Sequence, residues 1–297
     1  PTGTLGIPEF GTNFTIGMVS EIKPTTFAEL VKIAGLSHGT DVWLGNAQEL
    51  IKNNIVPFKE VIGCRDDIMV YLLRYFPEQP KTAFDIMEFV RKGKCQKDPV
   101  QWEVYKTMLK NKGVPDWYIW SCGKIQYMFP KAHAVAYVHS ALRIAWFKLY
   151  RPLEFWCAYF SVRSEGSFDA KTILSNDVDV IQAKINEIEA LGYDATATDK
   201  DKITYYEGAI DCLNAGIRFR RPHINKSQAS HFVCDFKNKA LIVPFSSIDG
   251  VGTQAGLKLV EERNQNGNYT LEDFLTRAKP SKKIIEGFDL LGVKYKI

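Results

Sequence analysis

At 297 residues and 45% hydrophobic composition, the chain is long for one compact domain and has enough apolar material for two. No run of 18 apolar residues occurs, and the opening PTGTLGIPEF lacks the basic start and apolar centre of a signal peptide. On these features neither a helical membrane span nor a secretory leader is expected, and a soluble cytoplasmic protein with no membrane partner is expected. The net charge of +4 sums unlike blocks: residues 81–150 hold 12 Lys/Arg against 5 Asp/Glu, 151–215 hold 6 against 12, and 216–297 hold 14 against 8. Two basic blocks around an acidic one point to a polyanion, with solvated helix faces as the ordinary alternative. The six cysteines, at 64, 95, 122, 157, 212 and 234, form no CxxC and no zinc spacing, so free thiols in a reducing compartment are expected. A start at Pro1 rather than Met predicts a piece of a longer protein.

In chain order, the first 20 residues are rich in Gly and Thr and read as an extended or looped lead-in. Thr26 and Glu29 make a capping box for a helix over Phe27–Ala34 that Gly35 is placed to end, and Leu36–Leu44 is read as a polar loop. That loop carries Ser37, His38, Thr40 and Asp41, which either cap local backbone or contact a polar ligand. Asn46 and Glu49 are expected to cap a short helix to Asn53, and after Pro57 the segment KEVIGCRDDIMVYLLRYF sets Arg65 beside Asp66 and Asp67. A helix over Lys81–Lys92 closes at Gly93, and Asp98 caps the next, which Gly113 stops. LEFWCAYFSVR is a packed apolar segment. The acidic stretch holds helices over Asp177–Leu191 and Lys202–Ala215, and the D-x-D at Asp177 and Asp179 reads as helix-start acids rather than metal ligands. Arg218, Arg220 and Arg221 form the densest cationic cluster, followed by one β-hairpin, His231–Asp235 with Ala240–Pro244.

Phe129 to Tyr150, FPKAHAVAYVHSALRIAWFKLY, allows about five turns of helix between Pro130 and Pro152. Val135, Val138, Leu142, Ala145 and Leu149 make its apolar face, and His133, Ser140, Arg143, Phe147 and Arg151 a second stripe. So apolar a helix is expected inside the fold, where its cations need either an internal carboxylate or a phosphate. Under the phosphate reading, Lys131 and His133 stand near the positive N-terminal end and Arg143 further along. Ile248-Asp-Gly-Val-Gly252, ahead of TQAGLKLVEER, permits a tight turn that brings backbone N–H groups against a phosphate, as in a helix-hairpin-helix module; Gly250, Val251, Gly252 and Thr253 are its DNA-binding candidates. Thr270 and Ser281 then open two more helical segments that look like a degenerate second half.

LGIPEFGT at 5–12, GLSHGTDVWLGNAQELI at 35–51, EVIGCRDDIM at 60–69, VPDWYIWSCGKIQYMFPKAHAVAYV at 114–138 and IDGVG at 248–252 closely resemble the PolC type of C-family bacterial replicative DNA polymerase. The resemblance implies a mainly α chain. A multi-helix fingers domain over 1–220 would contact nucleotide and template, and a small hairpin with a tandem helix-hairpin-helix domain over 221–297 would hold the duplex. It implies DNA-directed DNA polymerase activity in the whole enzyme, with dNTP as substrate and Mg held by a palm that lies outside this chain. The chain alone is therefore expected to be inactive, with no catalytic or metal residue of its own. By this likeness Arg65, Lys131, His133 and Arg143, with Ser37, His38 and Thr40, are nucleotide-binding candidates. Arg218, Arg220 and Arg221 join the hairpin as DNA-binding candidates. Partners would be primer-template DNA, the incoming dNTP, and the palm and thumb. The ending LGVKYKI lacks the Gln/Leu/Phe-rich tail expected at a PolC terminus, so direct sliding-clamp binding is unsupported. The rival readings are a non-catalytic DNA-binding scaffold and a helical protein-interaction piece.

Overall fold

The computed structural model describes residues 3–163 and 168–295 and falls into two compact units, Pro1–Ala145 and Trp146–Ile297. The first carries α1 (Asn13–Ile22), α2 (Phe27–His38), α3 (Gln48–Lys52), α4 (Arg65–Leu73), α5 (Pro80–Arg91), α6 (Lys94–Lys97), α7 (Pro99–Asn111) and α8 (Asp116–Lys124). Helix α9 (Lys131–Tyr150) runs across the division, so its last turns belong to the second unit. There follow α10 (Pro152–Arg163), α11 (Ala170–Ile173), α12 (Val178–Ala190), α13 (Ala197–Asn214), β1 (Arg218–Arg220), β2 (Val233–Asp235), β3 (Ala240–Ile242), α14 (Thr253–Asn266), α15 (Leu271–Thr276) and α16 (Lys282–Leu291). The chain is mainly α, as its alternation of capped apolar runs and Gly or Pro stops predicts. No described helix is long and apolar enough to cross a membrane.

Several local expectations hold at the level of single bonds. Thr26 and Glu29 form the capping box of α2, Asp98 accepts from the Gln101 amide at 3.0 Å to start α7, and Asp177 caps α12 by accepting from the Asp179 and Val180 amides. The Asp177 carboxylate is thus engaged with backbone. All six cysteines are free.

Other expectations are corrected. Helix α2 runs through Gly35 to His38, so Leu36–Leu44 is not wholly a loop. Gly35 is required for packing rather than termination: a Cβ there would lie 2.3 Å from Cys64 Sγ and 2.5 Å from the Gly63 carbonyl oxygen. Asn46 is no cap. It is buried, donating to the Asp41 carbonyl at 2.9 Å and accepting from the Ser121 hydroxyl at 2.6 Å, which ties the turn before α3 to α8. Lys59–Cys64 are not α-helical, and α4 begins only at Arg65. Helix α13 starts at Ala197, where Thr196 and Asp199 make a capping box, rather than at Lys202.

The largest correction concerns α9. Its buried residues are Ala134, Val138 and Ala141, while Leu142 is 41% and Leu149 70% exposed, and Lys131, His133 and Arg143 are exposed. The helix therefore packs through a narrow strip of small side chains, and most of the broad apolar face lies open. His133 and Arg143 thereby avoid the desolvation that interior placement would impose, whereas Lys148 near the helix end is largely buried and pairs with Asp211.

In the second unit the core gathers Phe160, Phe168, Phe219 and Phe232, with Phe160 and Phe232 ring centroids 5.5 Å apart. The hairpin is present, β2 antiparallel to β3 with Cys234 opposite Leu241. A third strand joins it, because β1 pairs parallel to β3 with Phe219 opposite Leu241, giving the order β1-β3-β2. Three residues reading Arg-Phe-Arg are too short for a period-2 pattern to show in sequence.

Candidate functional sites

In the first unit, most of the nucleotide candidates gather around a residue that sequence reasoning passed over, Phe129. Its carbonyl accepts from the Arg65 amide at 3.2 Å, anchoring the start of α4. Its ring lies 4.8 Å from the His38 ring and 6.0 Å from the His133 ring, centroid to centroid. Thr40 bridges to the segment before α9, its amide donating to the Tyr127 carbonyl at 2.9 Å and its carbonyl accepting from the Gln126 amide at 3.1 Å. The Ser37 hydroxyl bonds back to the Ala34 carbonyl at 3.0 Å, and His38 pairs with Glu9. Glu9 sits at φ 70° in the turns of the LGIPEFGT block, whose Ile7 and Phe10 are buried. Three segments distant in sequence thus meet at the beginning of α9.

Two carboxylates at the start of α4 govern the charge of this site. Asp66 accepts from the Lys131 amide at 2.8 Å and lies 3.9 Å from Arg65 Nε. Asp67 accepts from the Gly63 and Cys64 amides and from Lys131 Nζ at 3.2 Å, and it faces Lys32 Nζ at 3.8 Å. The attraction of Asp67 raises the Lys131 pKa, so the ammonium is fully charged at neutral pH. Lys32, not foreseen from sequence, is mostly buried; burial pushes its pKa down, Asp67 opposes this, and the Lys59 and Val61 carbonyls accept from its Nζ at 2.7 and 2.8 Å. Burial likewise pushes the neighbouring Cys64 thiol up to about 12, so it stays protonated. A cavity of about 390 Å³ opens here, lined by Lys32, Lys59, Arg74 and Lys131 among others. Tyr118 also lines it, stacked on Tyr71 at 4.1 Å, with a buried hydroxyl that has no hydrogen-bond partner among the described residues.

Arg143 is not part of this gathering. Twelve residues beyond Lys131 on the same helix, it lies about 18 Å further along the axis. The internal carboxylates that sequence reasoning offered as an alternative partner are present for Lys131 and, loosely, for Arg65. Among the described residues no ion pair is made by His133 or Arg143.

In the second unit, the hairpin before α14 turns through Gly250 at φ +72°, where only glycine is unstrained, and the Val251 amide donates to the Ile248 carbonyl at 2.9 Å. Gly252 has an ordinary φ of −74° and open space around its Cβ position. A side chain there would obstruct only something approaching from outside. Val251 is buried, Thr253 opens α14, and no side chain caps that helix among the described residues, which leaves its first amides facing outward.

The arginines lie elsewhere. Arg218 and Arg220 project from the exposed face of β1, Arg218 donating to the Asn176 carbonyl at 3.0 Å and Arg220 pairing with Asp235 at 2.7 Å. The Arg221 guanidinium lies against Gly292, 3.7 Å from where a Cβ would stand. Gly250 lines one cavity with Lys283, whereas Arg220 and Arg221 line another, so the hairpin and the cationic cluster are two sites.

Residues 2–113 match the bacterial DNA polymerase III alpha subunit finger domain, and residues 216–292 match the helix-hairpin-helix motif. The chain is 51% identical over 291 residues to DNA polymerase III PolC-type of Bacillus subtilis (strain 168), covering 98% of this chain and 20% of that protein. To the PolC-type protein of Streptococcus pyogenes serotype M2 it is 47% identical over 296 residues, 99% of this chain and 20% of that one. The chain spans about a fifth of the length of the curated relatives it matches. Its likeness is therefore to the fingers and helix-hairpin-helix portion of a PolC-type DNA polymerase III.

Proposed function

We propose that this PolC-like chain serves a DNA-directed DNA polymerase, its first 220 residues meeting the incoming dNTP and template and residues 221–297 holding the primer-template duplex. The observation that carries the nucleotide half is the meeting near Phe129 of His38 and Thr40 with Arg65, Lys131 and His133, Ser37 standing one residue before His38. A triphosphate needs positioned cations and polar donors more than covalent chemistry, because phosphoryl transfer is accelerated chiefly by alignment and charge neutralisation. Lys131 suits that task. It is held by Asp67 yet half exposed, so it can turn to a phosphate while its resting charge stays balanced. Arg143 acts in this reading on a phosphate further along α9. The magnesium ions that align the reacting oxygens belong to a palm outside this chain, as do the catalytic residues.

The duplex half rests on the hairpin. Gly250 makes its turn, and Gly252 with the first amides of α14 leaves room for a backbone phosphate, a contact that positions DNA without reading its bases. In the full-length polymerase, Lys131→Ala should lower kcat/KM for dNTP by about tenfold or more, the worth of one charge-assisted contact, with duplex affinity unchanged. A fall in duplex affinity with dNTP use intact would move α9 to the wrong ligand. Gly252→Val should weaken duplex binding and leave dNTP use at saturating DNA unaltered; unchanged affinity would remove the hairpin from the interface.

A further inference from the structure

Beside β1 in the second unit lies a notch of about 710 Å³ whose lining includes Arg220, Arg221, His223, Lys226 and Lys294 and no Asp or Glu. Arg220 is neutralised by Asp235, but among the described residues Arg221, Lys226 and Lys294 make no ion pair. Beneath them Arg263 is buried at 7% exposure and is satisfied by neutral acceptors only, the Ile224 and Ser227 carbonyls at 3.1 and 2.9 Å. Burial pushes its pKa down, and as a guanidinium the side chain keeps its charge at neutral pH. Three unpaired cations therefore line the notch with a fourth buried behind its turn and no carboxylate in the lining, an arrangement that favours an anion.

The notch is also rigidly built. The turn His223–Ser227 is closed by the Ser227 amide to the His223 carbonyl at 2.9 Å, and by the Ser227 hydroxyl, which accepts from the His223 amide and donates to Val243. Asn225 exchanges two hydrogen bonds with the backbone of Tyr269, pinning the turn to the start of α15. His223 Nδ1 accepts from the Asn225 amide at 3.0 Å, which leaves Nε2 as the ring donor. Partial burial, with Lys226, Arg220 and Arg263 nearby, holds the imidazole pKa below its usual value, so His223 is a neutral donor at pH 7.

We propose that this notch is a second DNA-backbone site, in which Arg221, Lys226 and Lys294 take adjacent phosphates of the duplex strand that the Gly250–Gly252 hairpin grips elsewhere. The inference rests on the duplex reading above and adds a contact of different chemistry. The hairpin offers backbone amides with Lys283 beside them, whereas the notch gathers three unpaired cations, so the notch releases the larger share of counterions when it binds.

The test is fluorescence anisotropy of a labelled primer-template duplex, and of a single strand of equal length, titrated with the chain across a salt series. The variants are the triple change Arg221→Ala, Lys226→Ala, Lys294→Ala, at exposed positions that leave the core untouched, and Gly252→Val; thermal melting checks that both fold. The triple variant should lose about two units or more of log–log salt slope on the duplex, at roughly 0.9 per phosphate contact. Gly252→Val should weaken binding with a smaller loss of slope, about one unit at most for the single lysine beside the hairpin. If the wild-type chain binds duplex and the triple variant keeps its slope, or loses it on the single strand alone, the notch is overturned and the duplex reading stands. Absence of duplex binding by the wild-type chain at low salt overturns the duplex reading and the notch with it.

Discussion

The cation clusters at the start of α9 and in the notch beside β1 are handled in opposite ways. In the first unit Lys32 and Lys131 both face Asp67, while Arg65 lies near Asp66, so the positive charge around the start of α9 is matched by carboxylates of α4. In the second unit Arg221, Lys226 and Lys294 stand around a notch without a carboxylate. A matched cluster holds its shape with nothing bound and can exchange a carboxylate for a phosphate. An unmatched one depends on its ligand for neutrality. Under the proposed function, the first arrangement would suit a nucleotide that comes and goes and the second a duplex that stays held.

The comparison is broken most severely by disturbing the backbone on which the matched cluster stands. Gly35→Val would drive its Cβ into Gly63 and Cys64, the residues whose amides Asp67 binds, and should cost the first unit about 3 kcal/mol, read from urea unfolding. A wild-type midpoint would show that this contact yields freely. Asp67→Asn converts the matched cluster into an unmatched one. With mostly buried Lys32 left to carbonyls alone, a loss of about 2–3 kcal/mol is expected, and adding Lys32→Met should restore part of it. Equal stability of the single and double variants would mean that Asp67 acts only through the backbone amides it accepts from.

A smaller effect sharpens the comparison on the side of the second unit, where a carboxylate is held by hydroxyls instead of cations. Asp169 is partly buried, which pushes its pKa up, but hydrogen bonds from Thr172 and Tyr206 outweigh this and leave it lowered from 3.8. A lowered folded-state value means the contribution is fully present above about pH 3.8 and is lost as pH falls through the folded value. Asp169→Asn should therefore lower the melting temperature at pH 7 by that contribution and flatten the acid limb, so that variant and wild type converge as pH falls below about 3.8. An acid limb identical to wild type would assign the loss to other carboxylates.

Much of the helical framework was legible because its signals are local. Thr26 with Glu29, Asp98 with Gln101, and Asp177 with its following amides are contacts within four residues, so spacing alone predicts them. Gly35 shows where that reasoning stops. Gly at the end of an apolar run reads as a helix stop, yet here the missing Cβ serves a neighbouring segment nearly 30 residues away. Asn46 was misread for a similar reason, since its true partner Ser121 is 75 residues distant.

For the sites, the residue types and blocks in the sequence determined which segments would carry phosphate-binding chemistry: the SHGT turn, Arg65, the FPKAHA helix start and the Ile248–Gly252 hairpin. They also determined the resemblance through which a polymerase role is proposed. Only the tertiary structure decided that Phe129 is where the first three meet, that Arg143 stands apart from them, that α9 buries a strip of small residues, and that Arg221 shares a notch with Lys226 and Lys294. The physical reason is one of range. Caps, turns and periodicity are settled between near neighbours along the chain, whereas the balance of charge at a site depends on which carboxylates and carbonyls the fold brings beside each cation.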